Sequence, residues 1–202
     1  VALGERVLLP TSPSESHGIE DVRLLRHTDD DGSVEYRGTY TAFDGGSISQ
    51  QLLRTTDLLA FTSSPMTGPG AANKGLALFP RKIHGRFVAL SRHDGETSAV
   101  AYSDNIRCWP AATPIDIPAT AWEAVQVGNC GSPIETDDGW LVLTHGVGPM
   151  RTYSIGALLL DLDHPTTVIG RTRRPLLTPQ PDEQDGYVPN VVYSCGALRH
   201  HD

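Results

Sequence analysis

Charged and amide side chains recur at the ends of predicted strands, and their chemistry suits a reaction on a sugar. Carboxylates can protonate a leaving oxygen or activate a nucleophile. Arginine, lysine and amide side chains, together with a histidine, can hold an anion. The candidates in chain order are Glu20, Asp21, Arg23, Asp44, Asn73, Lys74, Arg92, Gln126, His145 and Tyr153. The pattern therefore indicates carbohydrate chemistry beside an anion-binding site.

Two of these candidates can be weighed from their local sequence. Asp44 lies in YTAFDGG, where a strand is predicted to run into a Gly45-Gly46 turn. It is therefore either a turn-forming residue, as aspartate before glycine usually is, or an acid held at a strand end. His145 lies in THGV, and a histidine at the end of an apolar strand is harder to explain by packing. The other candidates also have ordinary readings as solvated loop residues or surface ion pairs.

Composition and charge speak against several classes of protein. The chain has 202 residues, 39% of them hydrophobic and 20% charged, with a formal net charge of −8. An acidic chain does not suit a nucleic-acid surface, which needs clustered Lys and Arg. No apolar run approaches the ~18–20 residues of a membrane helix. Walker, GxGxxG and GxSxG motifs are not found, so phosphotransfer and dinucleotide chemistry lack support.

The cysteines and the chain ends bear on location and completeness. Cys108, Cys130 and Cys195 are an odd number without CxxC spacing. A disulfide framework or metal site is therefore not expected, and a reducing, cytoplasmic location is predicted. The start, VALGERVLLP, has no initiator Met and no signal-peptide pattern. The end, SCGALRHHD, follows a predicted strand without a closing element, so we expect a fragment of a longer protein.

Strands dominate the predicted secondary structure, and 20 Gly and 15 Pro separate the short apolar runs. The predicted strands are SVEYRGTYTAF, LALFPRKI, GRFVALSR, TSAVAYS, GWLVLTHGV, IGALLLDL and PNVVYSCGAL. Opening strands begin near Glu20, Leu76, Gly131 and Asn190, at intervals of 55 to 59 residues. A four-stranded unit of about 40–50 residues is the size of a propeller blade. We therefore predict an all-β propeller of about three to four blades, in preference to a β-sandwich.

The ordered segments also resemble a known family. GIEDVR, YTAFDG, ANKGLALFPRKIHGRFVALSR, VGNCGSPIETDDGWLVLTHGV, VIGRTRRPLLTP and GYVPNVVYSCG together resemble glycoside hydrolase family 130. That family comprises β-mannoside phosphorylases and related β-mannosidases. The resemblance implies a five-bladed β-propeller, of which residues 1–202 form a single, incomplete domain.

The resemblance further implies inverting phosphorolysis of a terminal β-mannoside to α-mannose 1-phosphate. Asp44 matches the general acid, which acts through a hydroxyl of the mannose. Tyr153 resembles a sugar-contacting position. The matching positions for phosphate, the co-substrate, are Asn73, Lys74, Arg92 and His145. No metal or other cofactor is implied, and assembly into a homo-oligomer is left open.

Two positions depart from the family's pattern. The segment of Asp21 and Arg23 usually reads Asp-Pro-Arg, and here Val22 replaces the proline. A segment that commonly reads Lys-Ile-Gly in the phosphorylases begins here with Gln126, which removes a phosphate-binding cation. Charge-assisted hydrogen bonds are about twice as strong as neutral ones, so the loss weakens an anion site. Phosphorolysis stays the leading prediction. The alternatives are a β-mannosidase that uses activated water, and a non-catalytic sugar-binding propeller or inactive fragment.

Overall fold

The computed structural model of the chain describes residues 3–200 and contains three antiparallel sheets. The first comprises β1 (Ile19–Thr28), β2 (Val34–Phe43), β3 (Ile48–Thr55) and β4 (Thr62–Pro65). The second comprises β5 (Ala77–Leu78), β6 (Phe87–Ser91), β7 (Ser98–Ser103) and β8 (Ala112–Asp116). The third comprises β9 (Gln126–Asn129), β10 (Ile134–Thr136), β11 (Gly139–Val147), β12 (Tyr153–Leu160) and β13 (Val168–Arg171). Short 3₁₀ helices lie at Leu3–Glu5, Pro13–Glu15, Pro69–Ala71, Ala121–Glu123, Pro149–Arg151 and Pro181–Glu183.

The first two sheets are meanders in which strands consecutive in sequence are neighbours in space, and β10 to β13 of the third sheet follow the same order. Three successive meanders of this kind are the blades of a propeller, whereas a sandwich would exchange strands between two facing sheets. The prediction of an all-β, partial propeller is confirmed. The segment PATAWEAVQVG, which precedes the third sheet, contains the 3₁₀ helix Ala121–Glu123.

The opening strand of the third blade is interrupted. Both β9 and β10 pair with β11, with Asn129 opposite Thr144 and Ile134 opposite Leu141. The third unit therefore begins at Gln126 rather than at Gly131, where the repeat predicted it. The break between β9 and β10 places the first of these strands beside the axis of the blades.

The hydrophobic core lies between neighbouring blades, and the period-two alternation of β6 divides it. Val88 and Leu90 belong to the cluster shared with the third blade, whereas Ala89 belongs to the cluster shared with the first. Successive side chains of a strand point to opposite faces, so one strand can fill both interfaces. Phe79 and Trp140 join the second and third blades edge to face, with ring centroids 5.0 Å apart.

Two predicted strands are shorter than expected or absent from the described chain. In LALFPRKI only Ala77–Leu78 is a strand, because Pro80 has no N–H to continue the ladder. The segment PNVVYSCGAL forms a single bridge, from Val191 to Tyr153, and contains no strand. The prediction of an opening strand near Asn190 was therefore wrong.

A buried carboxylate anchors the N-terminal segment to the first blade, and its replacement tests that packing. Glu15 is 3% exposed, and it accepts hydrogen bonds from the Tyr40 hydroxyl and from the Thr11 and Ser12 amides, at 2.5, 2.6 and 3.0 Å. Burial alone would raise the pKa of Glu15, but these hydrogen bonds hold it below its ordinary value of 4.5. Glu15→Gln is expected to lower the free energy of unfolding by about 2 kcal/mol at pH 7.

The pH dependence and a matched variant check that result. A lowered carboxyl pKa adds stability above the ordinary pKa, and this stability is lost as the pH falls through the lowered value. The effect of Glu15→Gln should therefore shrink in acid during urea unfolding. Glu183 caps the exposed 3₁₀ helix Pro181–Glu183 in the same way, by accepting a hydrogen bond from the Gln180 amide. Equal losses in Glu183→Gln and Glu15→Gln would contradict a special role for the buried carboxylate.

Candidate active site

A cavity of about 880 Å³ lies where the opening strands of the three blades begin. The first residues of β1 and β9 and the loop before β5 contribute to its wall. Seven of the ten predicted site residues line it: Glu20, Asp21, Lys74, Arg92, Gln126, His145 and Tyr153. These residues are distant in sequence, and the radial arrangement of the blades brings them together. Arg23, Asn73 and Asp44 are not in the lining of this cavity.

The centre of the cavity wall is a contact between Arg92, just after β6, and His145 on β11. Arg92 Nη1 donates to His145 Nε2 at 3.2 Å, and Nη2 donates to the Gly95 carbonyl at 3.2 Å. Arginine can only donate, so Nε2 must be the acceptor and the imidazole is neutral. Burial, followed by the charges of Arg92 and Arg23, lowers the pKa of His145 to about 3. The histidine therefore stays uncharged at neutral pH.

Gly128, on β9 opposite His145, makes this contact geometrically possible. A Cβ atom at Gly128 would lie 2.3 Å from Arg92 Cδ and 2.8 Å from His145 Cε1. Both distances are far shorter than a normal van der Waals contact. Any larger residue would separate the guanidinium from the imidazole.

A second arginine lies behind the cavity wall on β1. Arg23 is 1% exposed, and its Nη1 donates to the Asp21 carbonyl at 3.2 Å while its Nη2 donates to the Tyr193 hydroxyl at 3.0 Å. The β1–β2 register shifts between Glu20 and Arg23, and Asp21 has a left-handed φ of 55°. A bulge of this kind re-aims side chains at a strand end. It directs Asp21 into the cavity while Arg23 stays inside.

The remaining lining residues surround these two arginines. Lys74 Nζ is 2.8 Å from Glu20 Oε2, in an ion pair that is partly exposed. The Tyr153 ring is stacked on that of His145, with centroids 6.0 Å apart and planes 18° apart. Gln126 pairs with Val147 at the start of β9, and its side chain is half-buried. Cations, carboxylates and aromatic rings therefore face one space.

Asn73 supports the site from beside the cavity. It adopts a left-handed φ of 65°, and its backbone carbonyl accepts a hydrogen bond from Gln50 Nε2 at 2.9 Å. Its Oδ1 accepts from the Lys74 amide at 2.9 Å. Its side-chain nitrogen lies 2.7 Å from the place that a Cβ at Gly95 would occupy. Asn73 thereby holds the loop of Lys74 against the turn that receives Arg92.

The structure gives Asp44 a turn-forming position. It follows β2, its side chain is exposed, and its Oδ1 accepts hydrogen bonds from the Gly46 and Ser47 amides at 2.8 and 2.7 Å. Its Oδ2 accepts from the Ser47 hydroxyl at 2.8 Å. The Ser47 and Gly46 hydrogen bonds lower the pKa of Asp44 to about 2. Asp94 forms the same turn in the second blade. The role of Asp44 as a general acid stays a prediction.

Several side chains in the cavity wall were missed by sequence reasoning: Met150, Arg151, Tyr187 and Tyr193. Tyr193 lies in PNVVYSCGAL, which the sequence predicts to be an apolar strand, and that pattern does not indicate a role for its hydroxyl. Met150 and Arg151 both have left-handed φ angles, 58° and 57°. Nothing in GPMR signals that conformation, because neither residue type favours it.

The cavity carries positive charge although the whole chain is acidic. Lys74, Arg92 and Arg151 line it together with two carboxylates, Glu20 and Asp21. Arg23 adds a further cation behind the wall. Lys74 is in close contact with Glu20, at 2.8 Å, whereas Arg23 is 3.9 Å from the carboxylate of Asp21. A small anion is therefore the ligand that this charge distribution favours.

A second cavity, of about 650 Å³, is less suited to chemistry. It is lined mainly by apolar side chains such as Leu24 and Ile134. Its Arg81 and Glu135 neutralise each other in an ion pair of 2.6 Å. Within residues 3–200, no group of three or more His, Cys, Asp or Glu side chains could hold a metal ion. The same residues contain no helix of the length and apolarity that a bilayer span requires.

The blades and the polar axial cavity define a partial β-propeller with a candidate carbohydrate site. The sequence matches the glycoside hydrolase family 130 model, described as beta-1,4-mannooligosaccharide phosphorylase, over residues 2–202. The chain belongs to glycoside hydrolase family 130.

Named relatives support this assignment. The 1,2-beta-oligomannan phosphorylase of Thermoanaerobacter sp. (strain X514) is 44% identical over 127 residues, which cover 61% of this chain and 42% of that protein. The beta-1,2-mannobiose phosphorylase of Listeria innocua serovar 6a is 32% identical over 209 aligned positions, covering 96% of this chain and 55% of that protein. A solved structure of the Listeria innocua phosphorylase with beta-1,2-mannobiose has a TM-score of 0.83 at 31% identity, with coverages of 96% and 55%. The chain thus spans about half the length of these relatives.

Proposed function

We propose that the protein cleaves terminal β-mannosides by inverting phosphorolysis and releases α-mannose 1-phosphate. The observation that carries this proposal is the pair of arginines, Arg92 and Arg23, beside a neutral histidine at the cavity wall. Their side chains flank Gly75, where an added Cβ would lie 3.4 Å from Arg92 Cδ and 3.9 Å from Arg23 Nη2. The names of the phosphorylase relatives support the choice of phosphate.

The arginines have unused capacity for an anion. Burial lowers the pKa of Arg92, and the nearby charge of Arg23 acts in the same direction. The Nε atoms of both arginines have no hydrogen-bond partner among residues 3–200. A phosphate ion would relieve the repulsion between the two guanidiniums and accept from Arg92 in a bidentate manner. Phosphate bound in this way would present a nucleophilic oxygen to the cavity that Tyr153 and Asp21 line.

In the proposed reaction a phosphate oxygen forms a bond to the anomeric carbon as the glycosidic C–O bond breaks. The leaving oxygen takes a proton from a mannose hydroxyl, which is replenished by Asp44. A general acid must be protonated, whereas the exposed Asp44 carboxyl has a pKa of about 2. Sugar binding that displaces the Ser47 hydroxyl and removes water would raise this pKa. Asp44 is outside the cavity lining but at the same end of the first blade as Asp21, because Ala42 pairs with Ile19. Its catalytic role is therefore proposed for the substrate-bound protein, in which the sugar extends from the cavity to this turn.

Incubation of β-1,2-mannobiose with the protein at its full natural length, with and without phosphate, tests the proposal. Product analysis is expected to give α-mannose 1-phosphate and mannose, with cleavage only when phosphate is present. Equal cleavage rates in both conditions would instead support the β-mannosidase alternative. Binding of mannobiose without turnover in either condition would support the non-catalytic alternative.

Gln126 provides a gain-of-function test of the anion site. The family's phosphorylases commonly carry a lysine at this position, and here the neutral Gln126 lines the cavity. Gln126→Lys is expected to lower the KM for phosphate up to about tenfold, because an added cation strengthens anion binding. Steady-state kinetics with varied phosphate measure this. A Gln126→Met variant, which adds no charge, should show no decrease.

A further inference from the structure

We infer that Tyr193 is a positioning residue that keeps the charge of Arg23 available to the anion in the cavity, an inference that rests on the proposed function. The Tyr193 hydroxyl accepts a hydrogen bond from Arg23 Nη2 at 3.0 Å and donates to Asp21 Oδ2 at 3.4 Å. The direct distance from Arg23 Nη2 to Asp21 Oδ2 is 3.9 Å. A neutral hydroxyl therefore lies where a closer ion pair would otherwise form.

The segment that carries Tyr193 is fixed to the third blade. The Tyr153 amide donates to the Asn190 carbonyl at 2.9 Å, and the Val192 amide donates to the Tyr153 carbonyl at 3.3 Å. The Tyr193 ring packs against that of His145, with centroids 5.1 Å apart. The ring is thus held on the third blade, while its hydroxyl reaches Arg23 and Asp21 on the first.

A second donor from the same segment acts on Asp21. The Cys195 thiol donates to Asp21 Oδ1 at 3.6 Å, so each carboxylate oxygen faces a neutral donor. Burial raises the pKa of Tyr193 well above its usual range, so its hydroxyl keeps the proton that it donates. Because the carboxylate of Asp21 already accepts hydrogen bonds from these two donors, it can remain 3.9 Å from Arg23 instead of forming a closer ion pair.

The consequence concerns the electrostatic field of the cavity. Arg23 is buried, and its Nε has no partner among the described residues. A buried charge that is not tightly paired acts strongly over short distances, since little water screens it. Arg23 Nη2 lies 3.9 Å from the Cβ position at Gly75, which is itself 3.4 Å from Arg92 Cδ, so the charge of Arg23 adds to that of Arg92 in favouring an anion. A close ion pair with Asp21 would cancel most of that effect.

Tyr193→Phe tests the inference, because it removes the hydroxyl and keeps the ring against His145. Arg23 and Asp21 should then close on each other, and the KM for phosphate should rise about tenfold. The kcat and the KM for mannobiose should stay within about twofold. Tyr102→Phe is the matched control: that hydroxyl has no hydrogen-bond partner among residues 3–200. Melting curves establish that both variants are folded.

A double-mutant cycle separates positioning from general packing. In the Asp21→Asn background no carboxylate remains to neutralise Arg23, so Tyr193→Phe should change the KM for phosphate by less than about twofold. An unchanged KM in the single variant, or equal rises in both backgrounds, would overturn the inference. The wild-type protein is assayed first, with and without phosphate. If it cleaves mannobiose without phosphate, the proposed function fails, and the inference fails with it.

Discussion

Asp44→Asn is expected to slow mannobiose cleavage about a thousandfold, the largest effect that we expect from any single substitution. A positioned general acid contributes about 10²–10⁴-fold in rate, and asparagine cannot supply a proton. The turn itself should survive. An asparagine Oδ1 can still accept the hydrogen bonds that the Gly46 and Ser47 amides give to Asp44 Oδ1. Sugar binding should consequently persist while turnover is lost.

A matched aspartate controls for the turn. Asp57, after β3, accepts hydrogen bonds from the Leu59 and Ala60 amides at 2.8 and 3.0 Å, and it too is exposed. Asp57→Asn makes the same chemical change in a similar turn, and it should keep full activity. Turnover by Asp44→Asn equal to that of Asp57→Asn would remove Asp44 from the mechanism and leave it a turn residue.

Arg92→Gln is expected to raise the KM for phosphate about a hundredfold, the second largest effect. Two hydrogen bonds from a charged donor to phosphate would be lost, each contributing about 1.5–3 kcal/mol. The substitution also leaves His145 Nε2 without the donor that lies 3.2 Å away. Binding of mannobiose should change far less, because a neutral sugar does not require this charge.

Two further variants make this result specific. Arg92→Lys keeps the charge but loses the bidentate geometry, so its KM for phosphate should lie between those of the wild type and Arg92→Gln. Arg81→Gln removes an arginine whose charge is already paired with Glu135 in the other cavity. It should leave the kinetics unchanged. A similar rise in KM for Arg81→Gln and Arg92→Gln would show that overall charge, and not the cavity, governs phosphate binding.

The residues that line the cavity of the candidate site were the most predictable part of the molecule. Arg92 and His145 follow apolar runs with clear strand patterns, so the positions of Arg92 just after β6 and of His145 in the last residues of β11 could be approximated from the sequence. The repeat then indicated that strand ends of successive blades share one axis. Their direct contact could not be predicted, because it depends on the absence of a side chain at Gly128 and on the turn at Gly95.

The errors have physical causes as well. The run of β-branched residues before Tyr193 has the composition of a strand, but strand formation requires a hydrogen-bonding partner, which the pattern alone does not specify. For Asp44 the sequence left open whether it forms a turn or acts on substrate. In the structure its carboxylate accepts three hydrogen bonds from Gly46 and Ser47 of its own turn. Left-handed residues such as Met150 and Arg151 leave no compositional signal, although they place side chains at the cavity.

The location of bound phosphate tests the central claim most directly. A crystal structure of the protein at its full natural length, grown with phosphate and mannose, should show the ion in the cavity of the three blades. We expect phosphate oxygens about 2.7–3.2 Å from the Arg92 guanidinium, with Arg23 and His145 next to it. Phosphate bound only elsewhere, with Arg92 still donating only to His145 and Gly95, would contradict the account.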